Sequence, residues 1–416
     1  MKIFRILAAI ALTLATVLPA TAQNGTISPY SRYGYGFLSD NATAAQRTMG
    51  GVGYAMNSGR QINVMNPASY AAIDSLTFLF DMGADFTALW SNEGGHRERQ
   101  YGGGLDYVTM QVPVTKWLGA SVGILPYSSV GYSFGSDIQN GTTDRTGSGS
   151  INQLYIGAGV NPWRGLYVGF NVAYLFGTTS NSDFVTTSGG TTSLFERQME
   201  IRDWRADIGI QYSHNVTAHD NVTLGLTYSP KKDFHGNVYG IYYEYSTQGA
   251  VPDTINAGDT KMNGRYSMPE TWGVGLNWKR DSRWMAEVDF TYQPWKNAKF
   301  ADLQNFDDNR FDNRWRVGAG LQFTPEQRGG YFKRINYRLG GFYNHDYVTV
   351  RNNSVRDYGL SMGFGFPVPS FKTIVNLGFE WRHRQASPQA LIKEDYFNIT
   401  LGINFNEMWF RKNKLY

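Results

Sequence analysis

From Phe397 to Phe405 the chain reads Phe-Asn-Ile-Thr-Leu-Gly-Ile-Asn-Phe. Successive side chains of a strand point to opposite faces, so Phe397, Ile399, Leu401, Ile403 and Phe405 share one face and Asn398, Thr400, Gly402 and Asn404 the other. The same period recurs along most of the chain. Alternating segments bounded by turn residues run 77–90, 103–112, 118–132, 150–160, 165–176, 204–213 and 221–245, then 263–279, 283–295, 314–323, 334–347, 356–366, 371–383 and 395–405. The pattern predicts an all-β fold of 14 antiparallel strands.

The connections alternate between tight turns, at 161–164, 279–282 and 367–370, and longer polar loops, at 91–102, 133–149, 177–203, 246–262 and 296–313. That asymmetry is the habit of outer-membrane β-barrels, whose long loops face outward, and an even strand number places both barrel ends on the periplasmic side. The faces are readable residue by residue. Trp284, Ala286, Val288, Phe290 and Tyr292 oppose Glu287, Asp289, Thr291 and Gln293. Trp315, Val317, Ala319, Leu321 and Phe323 oppose Arg316, Gly318, Gly320 and Gln322, and Trp204, Ile208, Ile210 and Tyr212 oppose Arg205, Asp207 and Gln211. A charge facing lipid at mid-bilayer costs about 2–4 kcal/mol. Arg205, Asp207, Glu287, Asp289, Arg316 and Arg338 are therefore placed in the lumen as polar pairs, with Asp289 facing Arg316 across neighbouring strands. Such pairs neutralise one another and hold a plug, or touch a ligand directly. Trp204, Trp278, Trp284, Trp315 and Trp381 fall near strand ends, where an indole lies at headgroup level.

The leading residues have the form of a signal peptide. Lys2 and Arg5 precede the apolar stretch Ile6 to Leu18, and Ala20-Thr21-Ala22 offers a small-x-small cleavage site, leaving Gln23 first. The apolar stretch is too short to span a membrane, which takes about 20 residues. Loss of Lys2 and Arg5 brings the net charge of +4 closer to neutral, so nucleic acid is not an expected partner. Zero cysteines exclude disulfides, thiol catalysis, cysteine-ligated zinc and a lipid anchor on cysteine. Aromatic residues at 15% and 47 glycines suit an outer-membrane barrel; a secreted sandwich or propeller shares the composition but has no need of tryptophans at strand ends.

Between Gln23 and Asp74 the alternation stops. Met49-Gly50-Gly51-Val52-Gly53 and Asn66-Pro67-Ala68 stand out: the glycines permit close backbone approach, Asn66 is a helix cap and Pro67 suits a first helical position. The expected plan is a signal peptide at 1–22, a hatch inside the barrel at 23–74, the barrel at 75–406 and a periplasmic tail at 407–416. Gly50, Gly51, Gly53, Asn66, Pro67 and Ala68 are the hatch candidates.

Several runs in order resemble the long-chain fatty-acid transporter family of bacterial outer membranes, the FadL-like barrels. A glycine-rich stretch leads into Asn66-Pro67-Ala68 before the first strand, and Gly123-Ile124-Leu125-Pro126-Tyr127 lies in the third. Met268-Pro269-Glu270-Thr271-Trp272-Gly273, Asp289-Phe290-Thr291-Tyr292-Gln293-Pro294-Trp295 and Trp315-Arg316-Val317-Gly318 follow. The opening Ser28-Pro29-Tyr30-Ser31-Arg32-Tyr33-Gly34 resembles Bacteroidetes-type relatives. The resemblance implies a transmembrane barrel closed by an N-terminal hatch, which takes up long-chain fatty acids or similar hydrophobic small molecules. Hatch movement would then release them sideways into outer-membrane lipid beside a kinked third strand. A side exit spares a hydrophobe from hydration worth about 0.8 kcal/mol per CH₂. Pro126, which lacks an N–H, is the candidate for the kink. Pro230 interrupts the seventh strand above the membrane. Tyr155, Phe342 and Ile374 have inward parity and are the apolar lumen candidates, for ligand or for packing against the hatch.

The alternative is a FadL-like barrel that does not transport, a docking subunit of a secretion or envelope-assembly complex with envelope proteins as partners. Trp409 and Phe410 with Arg411, Lys412 and Lys414 offer an anchor or a periplasmic contact. No enzyme, cofactor or metal site is expected. His345, Asp346 and Ser361 form no motif, and Asp302, Asp307, Asp308 and Asp312 lack the glycine and terminal glutamate of a calcium loop.

Overall fold

Alternation closes into a wall because a bilayer leaves no strand edge free to face lipid. The computed structural model describes residues 26–246, 249–251, 261–301, 310–369 and 372–408. The expected signal peptide, most of the C-terminal tail and Asp302, Asp307 and Asp308 lie outside them. The wall comprises β1 (Thr77–Glu93), β2 (His96–Pro113), β3 (Leu118–Ile138), β4 (Gly141–Trp163), β5 (Leu166–Thr187), β6 (Thr192–Asn215) and β7 (Asp220–Ser229). It continues through β8 (Thr271–Arg280), β9 (Trp284–Gln293), β10 (Arg314–Phe323), β11 (Asn336–Val350), β12 (Asn353–Pro367), β13 (Ile374–Ser387) and β14 (Lys393–Met408). Each strand pairs antiparallel with the next, and β14 closes on β1 from Thr77↔Met408 to Asn92↔Lys393. The result is an all-β, 14-stranded antiparallel barrel with its N-terminal segment packed inside.

The two faces follow parity. On β9, Val288 is 54% exposed on the lipid side while Glu287 is 1% exposed in the lumen. Rings mark both rims: Trp284 packs on Phe323 at one end of the wall and Tyr228 on Trp272 at the other.

Three sequence expectations need correction. The segments 91–102, 133–149 and 177–203, expected as polar loops, are mostly strand, since β1–β2, β3–β4 and β5–β6 run on as tall hairpins. The far ends of these hairpins, charged from Glu93 to Arg99 in the first and Ser/Thr-rich in the other two, lack a continuous apolar face, so hydrophobic period alone does not reveal them. The seventh strand does not run unbroken to 245. β7 ends at Ser229 before Pro230, and Gly236–Ser246 crosses to pair with the outer half of β6. The eighth begins only at Thr271, after Ser267–Met268 has paired with Lys232–Asp233.

Inside, the hatch consists of single turns: Pro29–Arg32, a two-residue strand Phe37–Leu38, a short helix α1 (Ala44–Arg47) and the turn Pro67–Ala72. Asn66 caps the last of these, accepting the Ala68 N–H at 3.1 Å. The wall meets the hatch through inward glycines. A Cβ on Gly119, Gly169 or Gly225 would collide with the backbone of Tyr70, Pro67 or Tyr54, and one on Gly320 or Gly340 with that of Met49. These positions admit no side chain because hatch backbone occupies the space.

Candidate functional site

Buried carboxylates require partners, and here the hatch backbone supplies them. Asp289 Oδ2 accepts the N–H groups of Gly53 at 2.6 Å and Tyr54 at 2.9 Å. Glu287 accepts the Ala55 N–H at 2.8 Å and an Asn277 amide proton at 2.7 Å. Lys279 donates to the Asn57 carbonyl. From β10, Arg316 donates to the Gly50 carbonyl at 2.6 Å and the Gly51 carbonyl at 3.3 Å, while Gly50 N–H donates to Ser361 at 2.9 Å. Gly50 and Gly51 have φ of +73° and +70°, a conformation that turns both carbonyls toward Arg316 and that side chains resist.

The expected Asp289–Arg316 pair is therefore not formed. Register sets Asp289 opposite Gly318 and Arg316 opposite Thr291, and each charge turns inward to the hatch. The carboxylate facing Arg316 comes from the hatch: Asp40 lies 3.3 Å from Arg316 and 2.7 Å from Arg314. Burial alone would raise the Asp40 pKa, but these two guanidinia outweigh it and hold the carboxyl well below the usual range.

The remaining lumen candidates divide. Arg205 and Asp207 do pair, at 2.6 Å. Arg338 instead donates to the amide oxygens of Gln322 and Asn376, both at 2.7 Å. Tyr155 is buried in a cluster with Tyr70 of the hatch and hydrogen-bonds Ser121 at 2.8 Å. Phe342 lies between the guanidinia of Arg316 and Arg382, 4.8 and 4.9 Å from its centroid. Ile374 opposes Pro367 and Asn404 at the rim where β12 ends and β13 begins. These three do not converge on an apolar pocket, because hatch and arginines occupy the space between them.

A cavity of about 450 Å³ remains between hatch and wall. Its lining is charged: Arg47, Asp85, Asp106, Glu380, Arg382 and Arg384 contribute, beside Asp40 and Arg316. Arg47 pairs with Asp106 at 2.6 Å and Arg382 with Glu380 at 3.0 Å. Arg384 stacks on Phe37 of the hatch, 3.6 Å from the ring centroid. The parity of Glu380, Arg382 and Arg384 on β13 was available in the sequence as a charged inner stripe. Asp106 was not, because a β-bulge opposite Gly83 and Ala84 brings it inward beside Tyr107.

The cavity reaches the wall where β2 and β3 part. These strands pair only from Pro113↔Gly119 to Val108↔Ile124. Beyond that, β3 continues along β4 to Ile138↔Gly141, with a register shift between Pro126 and Ser128, and β2 continues along β1. Pro126 thus sits just past the last rung and lines the cavity with Gly103, Gly104 and Ser128. In the seam, Phe37 and Leu38 of the hatch pair with Ser129 and Ser128 of β3.

No catalytic constellation forms around the groups weighed from sequence. His345 stacks on Trp315 on the outer face, 5.9 Å between centroids, while Ser361 bonds the hatch. Among the described residues no cluster of metal-ligating side chains occurs, and Asp312 is bridged by Lys296 at 2.9 Å.

A family model described as BamG matches residues 2–416. Alkane uptake protein A of Marinobacter nauticus is 22% identical over 270 residues, 58% of each chain, so this chain spans little more than half the length of that curated relative. Among solved structures, the toluene transporter TodX of Pseudomonas putida superposes with a TM-score of 0.62 at 15% identity, covering 88% of this chain and 98% of TodX. A FadL homologue from Pseudomonas aeruginosa gives 0.60 at 12%, covering 90% and 99%. The fold is that of the FadL/TodX outer-membrane channels.

Proposed function

Since the chain belongs to the BamG family, we propose that it is a non-transporting subunit of the envelope-assembly (Bam) complex of the outer membrane, its barrel a docking platform. One observation carries this reading. The hatch is fixed to the wall by the carboxylates of β9, Arg316 of β10 and backbone-to-glycine packing, and the space left over is lined by charge. Moving such a hatch breaks buried charge-assisted hydrogen bonds, each worth about 1.5–3 kcal/mol. A charged cavity also holds a hydrocarbon poorly. In this reading residues 23–74 are a permanent plug, both barrel ends face the periplasm and 1–22 is removed on export. The test is native mass spectrometry of the protein gently extracted from its own membrane. A stable stoichiometric complex with other assembly subunits is expected; a lone barrel carrying bound hydrophobic molecules would overturn the reading.

The seam favours a second reading, uptake of hydrophobic compounds with lateral exit beside Pro126. It is supported by the cavity reaching Gly103, Gly104 and Pro126 and by the fold shared with TodX. It predicts that Pro126→Ala slows entry of a hydrophobic substrate such as a long-chain fatty acid; the docking reading predicts no change.

A further inference from the structure

The open edge of β2 has no counterpart elsewhere among the described wall strands at mid-membrane. On β1, Phe80 pairs with Phe405 near the periplasmic rim, and Trp90 with Asp395 near the outer rim. Asp85, midway between them, pairs with Gly104 of β2. The β2–β3 ladder has already ended at Val108, so from Asp106 to Tyr101 one side of β2 stands at hydrocarbon depth. Among the described residues no main-chain partner lies on that side. Tyr101 and Leu105, 58% and 67% exposed, face outward as lipid-facing residues do. Between them lie Gly102 and Gly103, both buried, and Gly104, half-buried, none with a side chain to obstruct an incoming strand.

An edge in that position needs N–H and C=O groups in alternation, which acyl chains do not offer. The facing edge of β3 shows how the need is met, for there the hatch lends Phe37–Leu38 as an added strand. We infer that the β2 edge from Tyr101 to Asp106 accepts an extended segment of another polypeptide by strand addition, its apolar side chains alternating outward toward lipid. The inference rests on the assembly-subunit reading for the presence of polypeptide partners at this wall. Strand addition supplies main-chain hydrogen bonds without a shaped pocket, which suits an edge of three glycines with no side chains to grip.

The experiment places the photo-crosslinker p-benzoylphenylalanine at Tyr101 or Leu105 in the full-length protein in its own membrane. Leu224 and Leu276 on the far wall serve as controls, and heat-modifiable migration verifies folding. Cross-linking to one protein at least tenfold above the controls is expected. The attachment point should move along that partner in the opposite direction, by the same interval, as the probe moves from Tyr101 to Leu105. Lipid adducts alone, protein adducts that ignore register, or yields no higher than the controls would each overturn the inference. An intact native complex beside any of these results leaves the docking reading standing, whereas loss of that complex from the unlabelled protein removes the docking reading itself.

Discussion

The wall from β8 to β12 and the wall at β2–β3 meet the same hatch in opposite ways. On the first side, Asp289, Glu287, Arg316 and Ser361 hold hatch peptides one by one, and Gly320 and Gly340 let Met49 lie against bare strand. On the second, strand pairing lapses at Val108 and a charged cavity intervenes; Arg47–Asp106 and the Ala44 N–H on Tyr107 join hatch to β2 beside it, and Phe37 and Leu38 pair with β3. A clamped side and an unfinished side in one ring localise adaptability: where the ladder is complete the hatch is pinned by buried charges and bare glycines, and where it is not a cavity and a two-residue strand stand between β2 and β3.

The sharpest challenge to that contrast is volume on the clamped side. Gly340→Val drives methyl groups into the Met49 backbone and should cost about 3 kcal/mol or more, seen as lost heat-modifiable migration and protease entry into the hatch. Leu105→Ala at the seam, where the side chain faces outward, should leave both readouts unchanged. Next in size is Asp289→Ala, which orphans the N–H groups of Gly53 and Tyr54 at about 1–3 kcal/mol each; amide exchange at those two residues should quicken, with partial rescue by Asp289→Asn. Asp40→Asn is smaller and depends on pH. The folded carboxyl titrates below its unfolded value, so its contribution is present above about pH 4 and fades as acidity passes toward the folded value. Thermal scans in detergent should therefore show wild type losing its advantage over Asp40→Asn in that acid window and keeping it at neutrality. The smallest effect is expected from Pro126→Ala, under about 1 kcal/mol, because the β2–β3 ladder ends at Ile124, before the proline. Slower exchange at Gly102 to Asp106 in that variant would instead make Pro126 the cause of the seam.

Barrel architecture was legible because a bilayer enforces alternation at nearly every residue, as at Phe397 to Phe405. The hatch was legible as the place where that rule lapses, with Asn66-Pro67 marking its last turn. The contacts between them were not. Parity placed Asp289 and Arg316 in the lumen, but their partners, the peptides at Gly53 and Tyr54 and the carboxylate of Asp40, depend on how an irregular segment threads the interior, which no period encodes. The seam was hidden for a similar reason: alternation reports which way a side chain points, whereas the last rung between β2 and β3 is a property of two strands together. Asp106 shows the limit on one residue, since a single bulge reversed its face.

The glycine contacts also carry a consequence for biogenesis. Backbone seated against Gly119, Gly169, Gly225, Gly320 and Gly340 at once touches nearly every quarter of the ring. A segment so encircled is not threaded afterwards through a finished mouth. The residues translated first must already be folded in place when β14 zips onto β1, so the hatch acts as the mandrel around which the cylinder is wound.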